Sequence, residues 1–220
     1  MNAKRKLIVP VCFCIFMAGW IALSFTCCTT AVQNRDFEEA IEAFVKHAQP
    51  GSSIALFNGR DLSGWRAHGP GRWRVKDGVL SVTGGMGYLA TAYDEFTDII
   101  FSLDVRVSDG GNSGVFFRAQ HPGFGLRPWP RGYEAQVDNN GAKNPTGSLY
   151  NITKADKVLT QDGEWFSMEV RCIDDQQTIF VNGELVAQTR DSSYHRGFIA
   201  LQGHHPSCTV EFKNIDLTLL

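Results

Sequence analysis

A strict alternation of apolar and polar residues runs through most of the chain from residue 54 onward. Its clearest stretch lies at 101–107, where Phe101, Leu103 and Val105 alternate with polar side chains. Because successive side chains of a strand point to opposite faces, this pattern predicts a strand with one buried and one solvated face. Comparable runs predict strands at 73–83, 114–119, 133–137, 148–152, 165–173, 178–189, 197–202 and 209–219.

The segments between these runs have the composition of turns. Asp77-Gly78 and Asn182-Gly183 each separate two strand-like runs, and both residues of such a pair accept the positive φ that a tight hairpin requires. The chain contains 15 Phe, 5 Trp and 22 Gly, which is typical of strands and turns. About ten to twelve strands without intervening helices predict an all-β sandwich of two antiparallel sheets over residues 54–220.

The first thirty residues follow a different pattern. Lys4, Arg5 and Lys6 precede an apolar run at 7–25, which is the layout of an export signal. Cys27 and Cys28 close the run, so lipid attachment at one of these thiols is one outcome. Cleavage near residues 29–31 and retention as an uncleaved membrane anchor are the others. All three predict that residues 1–30 direct the domain out of the cytoplasm, to the periplasm or cell surface, with a membrane tether in two cases.

A short amphipathic helix is predicted between this segment and the sandwich. Asp36, with Glu39 three residues later, fits a helix N-cap, and Phe37, Ile41 and Phe44 recur at helical spacing. The turn residues at 49–53 end the helix. Residues 31–53 are therefore interpreted as a helix and linker that dock or space the main domain.

The charge balance and the cysteines restrict the partners and the compartment. The net charge is −2, with 21 basic and 23 acidic residues that form no basic stripe, so nucleic acid is not an expected partner. Cys172 and Cys208 are the two cysteines of the sandwich, and both alternate in phase with apolar neighbours. Two buried free thiols are the simpler interpretation, while a disulfide is permitted outside the cytoplasm.

Three successive segments place polar side chains on the face opposite the predicted core. The core-facing set is formed by Val115, Phe117, Ala135, Val137 and Leu149. The opposite set consists of Asn112, Gly114, Phe116 and Arg118 in the first segment, Glu134, Gln136 and Asp138 in the second, and Thr146, Ser148 and Tyr150 in the third. If the three strands are neighbours in one sheet, these side chains form one surface.

Such a surface has the chemistry of a carbohydrate site. Carboxylates, amides and arginine bond sugar hydroxyls, and flat aromatic rings stack on the apolar face of a pyranose. Trp129 lies in a Gly- and Pro-rich loop at 122–132, just before the Glu134 strand, where it can overhang that face. The competing interpretation is an ordinary solvated sheet face, which also carries Glu, Gln, Asp and Arg.

An ordered set of short motifs resembles the 3-keto-disaccharide hydrolase domain family over about residues 54–220. These motifs lie at 56–65, 73–78, 112–118, 133–138, 146–150, 163–165, 182–183, 197–202 and 210–215. The resemblance implies a concanavalin A-like jelly roll, related to lectins and glucanases, whose concave sheet holds a sugar site. It also implies cleavage of glycosides already oxidised at C3.

The resemblance assigns expected roles to individual residues. Glu134 or Asp138 is the expected base that removes the acidified C2 hydrogen. Arg118 or Asn112 would stabilise the enolate oxygen, and Tyr150 or His204 would protonate the leaving group. Phe116, Gln136 and Trp129 complete the expected sugar-binding set, and no cofactor or metal is expected. His204 and His205 are equally compatible with a surface loop, or with a weak metal site.

Two other functions remain open at this point. Glu134, Gln136 and Asp138 alternate along one strand as the carboxylates of lectin-like glucanases do. Ordinary glycoside hydrolysis needs two carboxyl groups about 5 to 9.5 Å apart, however, and residues four apart on a strand have Cα atoms about 13 Å apart. A non-catalytic carbohydrate-binding module would need the same face without any base.

Overall fold

The computed structural model describes residues 24–122 and 129–220. It contains one helix, α1 (Ser24–His47), followed by strands only. The strands are β1 (Ser53–Ala55), β2 (Trp65–His68), β3 (Arg72–Lys76), β4 (Val79–Thr83), β5 (Gly87–Thr91), β6 (Ile99–Val107), β7 (Ser113–Gln120), β8 (Arg131–Val137), β9 (Phe166–Ile173), β10 (Gln176–Val181), β11 (Glu184–Arg190), β12 (Phe198–Gly203) and β13 (Val210–Leu219).

The strands form two antiparallel sheets, as predicted. The larger sheet has the order β11-β10-β9-β6-β13-β4-β3, and β1 also pairs with β13. The smaller sheet has the order β2-β5-β12-β7-β8. Strands distant in sequence are neighbours in both sheets, which is the topology of a jelly-roll sandwich.

The core lies between the inner faces of the two sheets. In β6 every second residue is buried, so the alternation at 101–107 is confirmed. Val115 and Phe117 of β7 and Ala135 of β8 belong to the same core cluster as Phe101 and Val105 of β6. The inward phase of these three strands is therefore the predicted one, and it fixes which side chains remain on the outer face of the smaller sheet.

Both predicted hairpins are present. Asp77 and Gly78 have φ values of 51° and 77° between β3 and β4. Asn182 and Gly183 have φ values of 51° and 77° between β10 and β11. Positive φ at both central residues gives the turn the twist that the flanking strands require.

The helix is longer than predicted. Its described part runs from Ser24 to His47, so Asp36 lies inside it and is not its N-cap. Its C-terminal half docks on the sandwich, because Ile41 is buried in the main core and Glu38 forms an ion pair with Arg66 of β2. Gly64, with φ +81°, makes room for this contact, since a Cβ there would lie 2.9 Å from Cδ1 of Phe37. The docking role expected for the helix is thus present.

One local expectation is wrong, and one is confirmed. Residues 148–152 do not form a strand; the backbone of this segment follows β8 through bonds such as Tyr150 N to Glu134 O at 2.9 Å, and then turns. Cys172 and Cys208 are both buried and free, which confirms the simpler interpretation and not the disulfide. Cys172 lies opposite Ile99 at one end of β6. Cys208 lies two residues before Val210, which pairs with Val107 at the other end, so the thiols are too distant to bridge.

Most of the predicted export segment, residues 1–23, lies outside the described residues, and so do residues 123–128 of the loop before β8. Within the described ranges, no helix combines the length and the hydropathy that a membrane crossing needs.

Candidate active site

The outer face of the smaller sheet carries rows of side chains that run across its strands. In one row, Ala200 of β12 pairs with Phe116 of β7, and Phe116 pairs with Glu134 of β8. In the next row, Gly114 of β7 pairs with Gln136 of β8. Part of the predicted surface therefore exists, and its polar residues lie at the β8 edge.

A pocket of about 90 Å³ lies at this edge, and we call it the Glu134 pocket. It is lined by Asn112, Trp129, Glu134, Gln136, Tyr150, Gln202 and His204. All of these except Gln202 were predicted site residues. Larger surface hollows occur elsewhere on the domain, but the Glu134 pocket is where the predicted residues converge. Its lining combines one carboxyl group, three amides, a phenol, an imidazole and an indole, which suits a polyhydroxylated ligand.

Glu134 is held in the pocket by a residue from a different strand. Nε2 of Gln202, on β12, donates a hydrogen bond of 3.0 Å to Oε1 of Glu134. β7 separates the two strands, and Gly114 of β7 supplies the free space, because a Cβ at Gly114 would lie 2.1 Å from Oε1 of Glu134. A glycine is therefore required at this position for the carboxyl group to lie where it does.

Burial changes the acidity of this carboxyl group. Desolvation raises the pKa of Glu134 to about 8, and the hydrogen bond from Gln202 acts in the opposite direction by stabilising the charged form. A carboxyl group with a pKa near 8 is partly protonated and partly ionised around neutral pH. It can therefore accept a proton as a carboxylate and donate one as an acid, which is the property expected of an acid–base catalyst.

His204 and Trp129 form one wall of the pocket. Their rings stack with centroids 5.5 Å apart and planes inclined by 15°. Desolvation lowers the pKa of His204, the neighbouring His205 lowers it further, and Asp138 partly offsets both. The imidazole is therefore neutral at pH 7, and its buried Nδ1 has no hydrogen-bond partner within the described part of the chain.

Asp138 is close to the pocket but does not line it. Its Oδ2 accepts a hydrogen bond of 3.0 Å from Asn112, and its Oδ1 accepts one of 3.1 Å from the backbone of Asn140. Its own backbone N–H donates to Oγ1 of Thr146. Asp138 therefore organises the turn after β8 and orients Asn112. Thr146 and Ser148 were expected on the polar face. Both are buried, and their hydroxyl groups form hydrogen bonds within the same region.

Arg118 is not part of the site, contrary to prediction. Its backbone has φ 45° at a register shift between β7 and β8, and this breaks the alternation that would have kept it beside Phe116. Its side chain, 1% exposed, forms an ion pair of 2.8 Å with Asp98. It also donates to the carbonyl oxygens of Thr97, Asp174 and Tyr194. Four of the five N–H donors of Arg118 are committed to these partners, so Arg118 fastens loops together.

Phe116 faces outward as predicted, but it does not line the pocket. It is buried in a small apolar cluster on the outer face with Tyr88, Ala90, Ala119, Phe198 and Ala200, against which Trp129 packs. Its predicted role as a sugar platform is therefore wrong, because its ring has no free face. It supports the floor next to the pocket instead.

The sequence reasoning missed Gln202 and an aromatic array beside it. Tyr88 pairs with Gln202 across β5 and β12, and its ring stacks on His68 at 4.7 Å. Its hydroxyl group forms a hydrogen bond of 2.9 Å with Nδ1 of His121. The outward phase of β12 follows from its buried alternate residues, Ile199 and Leu201, so Gln202 was within reach of the same reasoning that found Glu134.

Metal binding has no geometric support in the described ranges. No three side chains of His, Cys, Asp or Glu come together there in a way that could hold an ion. In the Glu134 pocket the only such groups on the wall are Glu134 and His204.

Comparison with known proteins places this geometry in context. A 3-keto-disaccharide hydrolase of Bacteroides thetaiotaomicron is 33% identical over an alignment that covers 30% of this chain and 27% of that protein. A crystal structure of a candidate glycosyl hydrolase from Parabacteroides distasonis superposes with a TM-score of 0.68 at 24% identity, over 77% of this chain and 94% of that one. A carbohydrate-binding module from Bacillus subtilis has a TM-score of 0.54 at 16% identity, over 70% and 95% of the two chains.

These structural likenesses show the fold, which is shared by carbohydrate-cleaving and carbohydrate-binding proteins. The match to a family model is more specific, because it covers residues 52–218 and so includes every strand of both sheets except the last residue of β13, Leu219. The chain therefore belongs to the family of 3-keto-alpha-glucoside-1,2-lyase-like domains.

Proposed function

We propose that the Glu134 pocket cleaves glycosides whose sugar ring carries a ketone at C3. The observation that carries this proposal is a single carboxyl group, Glu134, with its pKa raised to about 8 in a pocket lined by amides and aromatic rings. Family membership supports the same reaction class. The sugar and the linkage are part of what the experiment below has to define.

The chemistry of a 3-keto-glycoside needs only one base. The ketone acidifies the hydrogen on C2, so the ionised Glu134 can accept that proton while the electron pair forms an enolate. The enolate then expels the C1 oxygen with its aglycone and leaves a double bond between C1 and C2. The proton held by Glu134 can pass to the departing oxygen, which yields a neutral alcohol. Addition of water across the double bond returns the 3-keto sugar, and the net reaction is hydrolysis.

The pocket also contains groups that can stabilise the enolate oxygen. Gln136 and Asn112 present amides, and Tyr150, 43% exposed, presents a phenol at the rim. Hydrogen-bond donors aimed at the developing charge lower the barrier because the pocket is partly shielded from water. Arg118, which was the alternative for this role, is committed to Asp98 and to backbone carbonyls.

The geometry gives less support to an ordinary two-carboxylate glucanase. That mechanism needs a second carboxyl group across the scissile bond. In the described residues Glu134 is the only carboxylate of the pocket wall, and Asp138 is engaged by Asn112 and by the turn. A non-catalytic carbohydrate-binding module is the second candidate, since a module with this fold exists.

The activity test compares a 3-keto-glucoside with its unoxidised parent. We expect the purified protein to release the aglycone from the keto compound alone, and to incorporate deuterium at C2 of the sugar when the reaction is run in D₂O. Release from both compounds would identify a glucanase. Binding without release would identify a carbohydrate-binding module.

Two isosteric variants test the base. Glu134→Gln removes the proton acceptor and is expected to lower kcat by about 10²- to 10⁴-fold, the usual contribution of general acid–base catalysis. Asp138→Asn keeps most hydrogen bonds of the turn and is expected to lower kcat by about tenfold at most. Full activity in Glu134→Gln would contradict the assignment of the base.

The site of action is a separate proposal. The basic residues followed by an apolar run at the N-terminus support export of the domain, with a membrane tether if a cysteine is lipidated or the segment is retained. Fractionation of cells that express the full chain, with and without Cys27→Ser and Cys28→Ser, tests this. Recovery of the protein in the cytoplasm would contradict export.

A further inference from the structure

The side-chain amide of Gln202 has an N–H end and an oxygen end, and only the N–H end has a hydrogen-bond partner among the described residues. Its side chain is 2% exposed, and Nε2 donates to Glu134. Its Oε1 is buried and has no hydrogen-bond partner within the described part of the chain. A buried amide oxygen without a partner loses the free energy of a hydrogen bond, so native proteins rarely retain one without a reason.

The unsatisfied end belongs to a pocket residue. Gln202 and His204 both line the Glu134 pocket, and Nδ1 of His204 is a second buried polar atom without a partner. Two such atoms around one small pocket indicate an occupant that can form hydrogen bonds. A sugar hydroxyl group can donate to a carbonyl oxygen and accept from an imidazole N–H at the same time.

We propose that Gln202 is a positioning residue of this site, holding the Glu134 carboxyl group with Nε2 and binding a hydroxyl group of the sugar substrate with Oε1. The second half of the proposal rests on the proposed function, whereas the first half does not. Both assignments follow from the position of Gln202 on β12, from which its side chain reaches Glu134 over Gly114.

The orientation of the amide is tied to the charge of Glu134. A carboxylate has only acceptor atoms, so it must receive the N–H end of Gln202, and the oxygen end is then left for the ligand. The remaining titratable groups around Glu134 are His204 and Tyr150 in the pocket wall and Asp138 behind Asn112. The described contacts show no hydrogen bond from any of these to the Glu134 carboxyl group, so Gln202 is the group through which its charge is stabilised.

The first experiment measures the pKa of Glu134 and does not depend on enzymatic activity. The carboxyl carbon of Glu134 is followed by NMR titration of the full protein, with its signal identified by loss in Glu134→Gln. Gln202→Met keeps the length of the side chain but removes both hydrogen-bonding ends. We expect the pKa of Glu134 to rise by about one to two units in this variant, because a hydrogen bond to the charged form is lost.

Gln177→Met is the matched control. Gln177 is also a buried glutamine with one bonded end and one unsatisfied oxygen, but it lies on β10 of the other sheet, where Nε2 donates to the carbonyl of Asp191. The Gln177→Met substitution should leave the pKa of Glu134 and the activity of the protein unchanged. An unchanged pKa of Glu134 in Gln202→Met would overturn the positioning role, even if the wild type cleaves keto-glycosides.

The second experiment uses the pH profile of kcat/KM for a 3-keto-glucoside. At pH 7 a shift of one unit in the pKa of the base lowers the ionised fraction about tenfold, but well above both pKa values this loss disappears. Any decrease in kcat/KM of Gln202→Met that persists at high pH reports the hydroxyl contact. We expect this persistent loss to be absent for whichever of the 2-deoxy, 4-deoxy and 6-deoxy analogues lacks that hydroxyl group.

The outcomes separate the two proposals. If the wild type cleaves no keto-glycoside, the proposed function fails, while the NMR titration still tests the bond between Gln202 and Glu134. If all three deoxy analogues and the parent show the same persistent loss in Gln202→Met, the hydroxyl contact is refuted.

Discussion

Gln202 donates its hydrogen bond to Glu134 from a strand that is not adjacent in the sheet. Neighbouring strands lie about 4.8 Å apart, so the two backbones are separated by about 9.6 Å, with β7 between them. The side chains meet only because Gly114 leaves the intervening position empty. The candidate base, its partner and the missing side chain thus form one unit on the outer face of the smaller sheet.

This unit predicts a strong effect of a single methyl group. In Gly114→Ala the new Cβ would lie 2.1 Å from Oε1 of Glu134, so the carboxyl group has to move. Because a displacement of about 1 Å in a catalytic group costs about 10²-fold in rate, we expect kcat on a 3-keto-glucoside to fall by about that factor. Gly163→Ala is a control for general destabilisation, since φ is +79° at Gly163 and alanine strains the backbone there, while its Cβ meets nothing within 4 Å. Equal activity of the two variants would contradict this account.

The raised pKa of Glu134 predicts the pH dependence of the reaction. With a pKa of about 8, about a tenth of Glu134 is ionised at pH 7. If the ionised form is the base, kcat/KM rises with pH and levels off above about pH 8. Initial rates between pH 5 and 10 measure this profile. A profile that rises around pH 4 to 5 instead would show that the active carboxyl group has an ordinary pKa.

The same shift predicts a pH dependence of stability. The folded pKa of Glu134, about 8, is above the value of 4.5 for an unperturbed glutamate. Between these values the folded protein keeps a proton that the unfolded chain releases, so the contribution of Glu134 to stability is complete below about pH 4.5 and is lost as the pH rises to about 8. Relative to Glu134→Gln, the wild type should lose about 1.4 kcal/mol in free energy of unfolding per pH unit within this window. Urea unfolding of both proteins at pH 5.5 and 7.5 measures the difference, and an unchanged or opposite difference would contradict the buried, neutral carboxyl group.

Arg118 is expected to affect stability without a direct role in the reaction. Its buried guanidinium bonds the partly exposed Asp98 and three backbone carbonyls. Arg118→Met should therefore lower the free energy of unfolding by about 3–5 kcal/mol, because the three carbonyls lose their donor and Asp98 loses its partner. Arg190→Met, at an exposed ion pair with Asp175, should lower it by less than about 1 kcal/mol. Chemical denaturation measures both values. The KM of the folded fraction of Arg118→Met should equal that of the wild type, and a large increase in KM would return Arg118 to the site.

Much of the fold could be predicted because alternation is a local property of the backbone. The phase of β6, β7 and β8 follows directly from the apolar positions, and the two hairpins follow from residue pairs that accept positive φ. The same reasoning predicted that Glu134 and Gln136 share one outward face. It failed at residues 148–152, where the segment follows β8 by backbone hydrogen bonds and then turns.

The rest depended on contacts between distant parts of the chain. The register shift in β7 turns Arg118 away from its predicted face. Its guanidinium is instead bound by backbone carbonyls from three other segments of the chain. The partnership of Gln202 with Glu134 required the strand order β12-β7-β8, which no local pattern encodes. The sequence by itself determined which residues face outward where a strand is regular, because side-chain direction alternates along an uninterrupted strand. The tertiary structure decided which of them meet, because strand pairing, bulges and the space left by a glycine arise only when the sheets assemble.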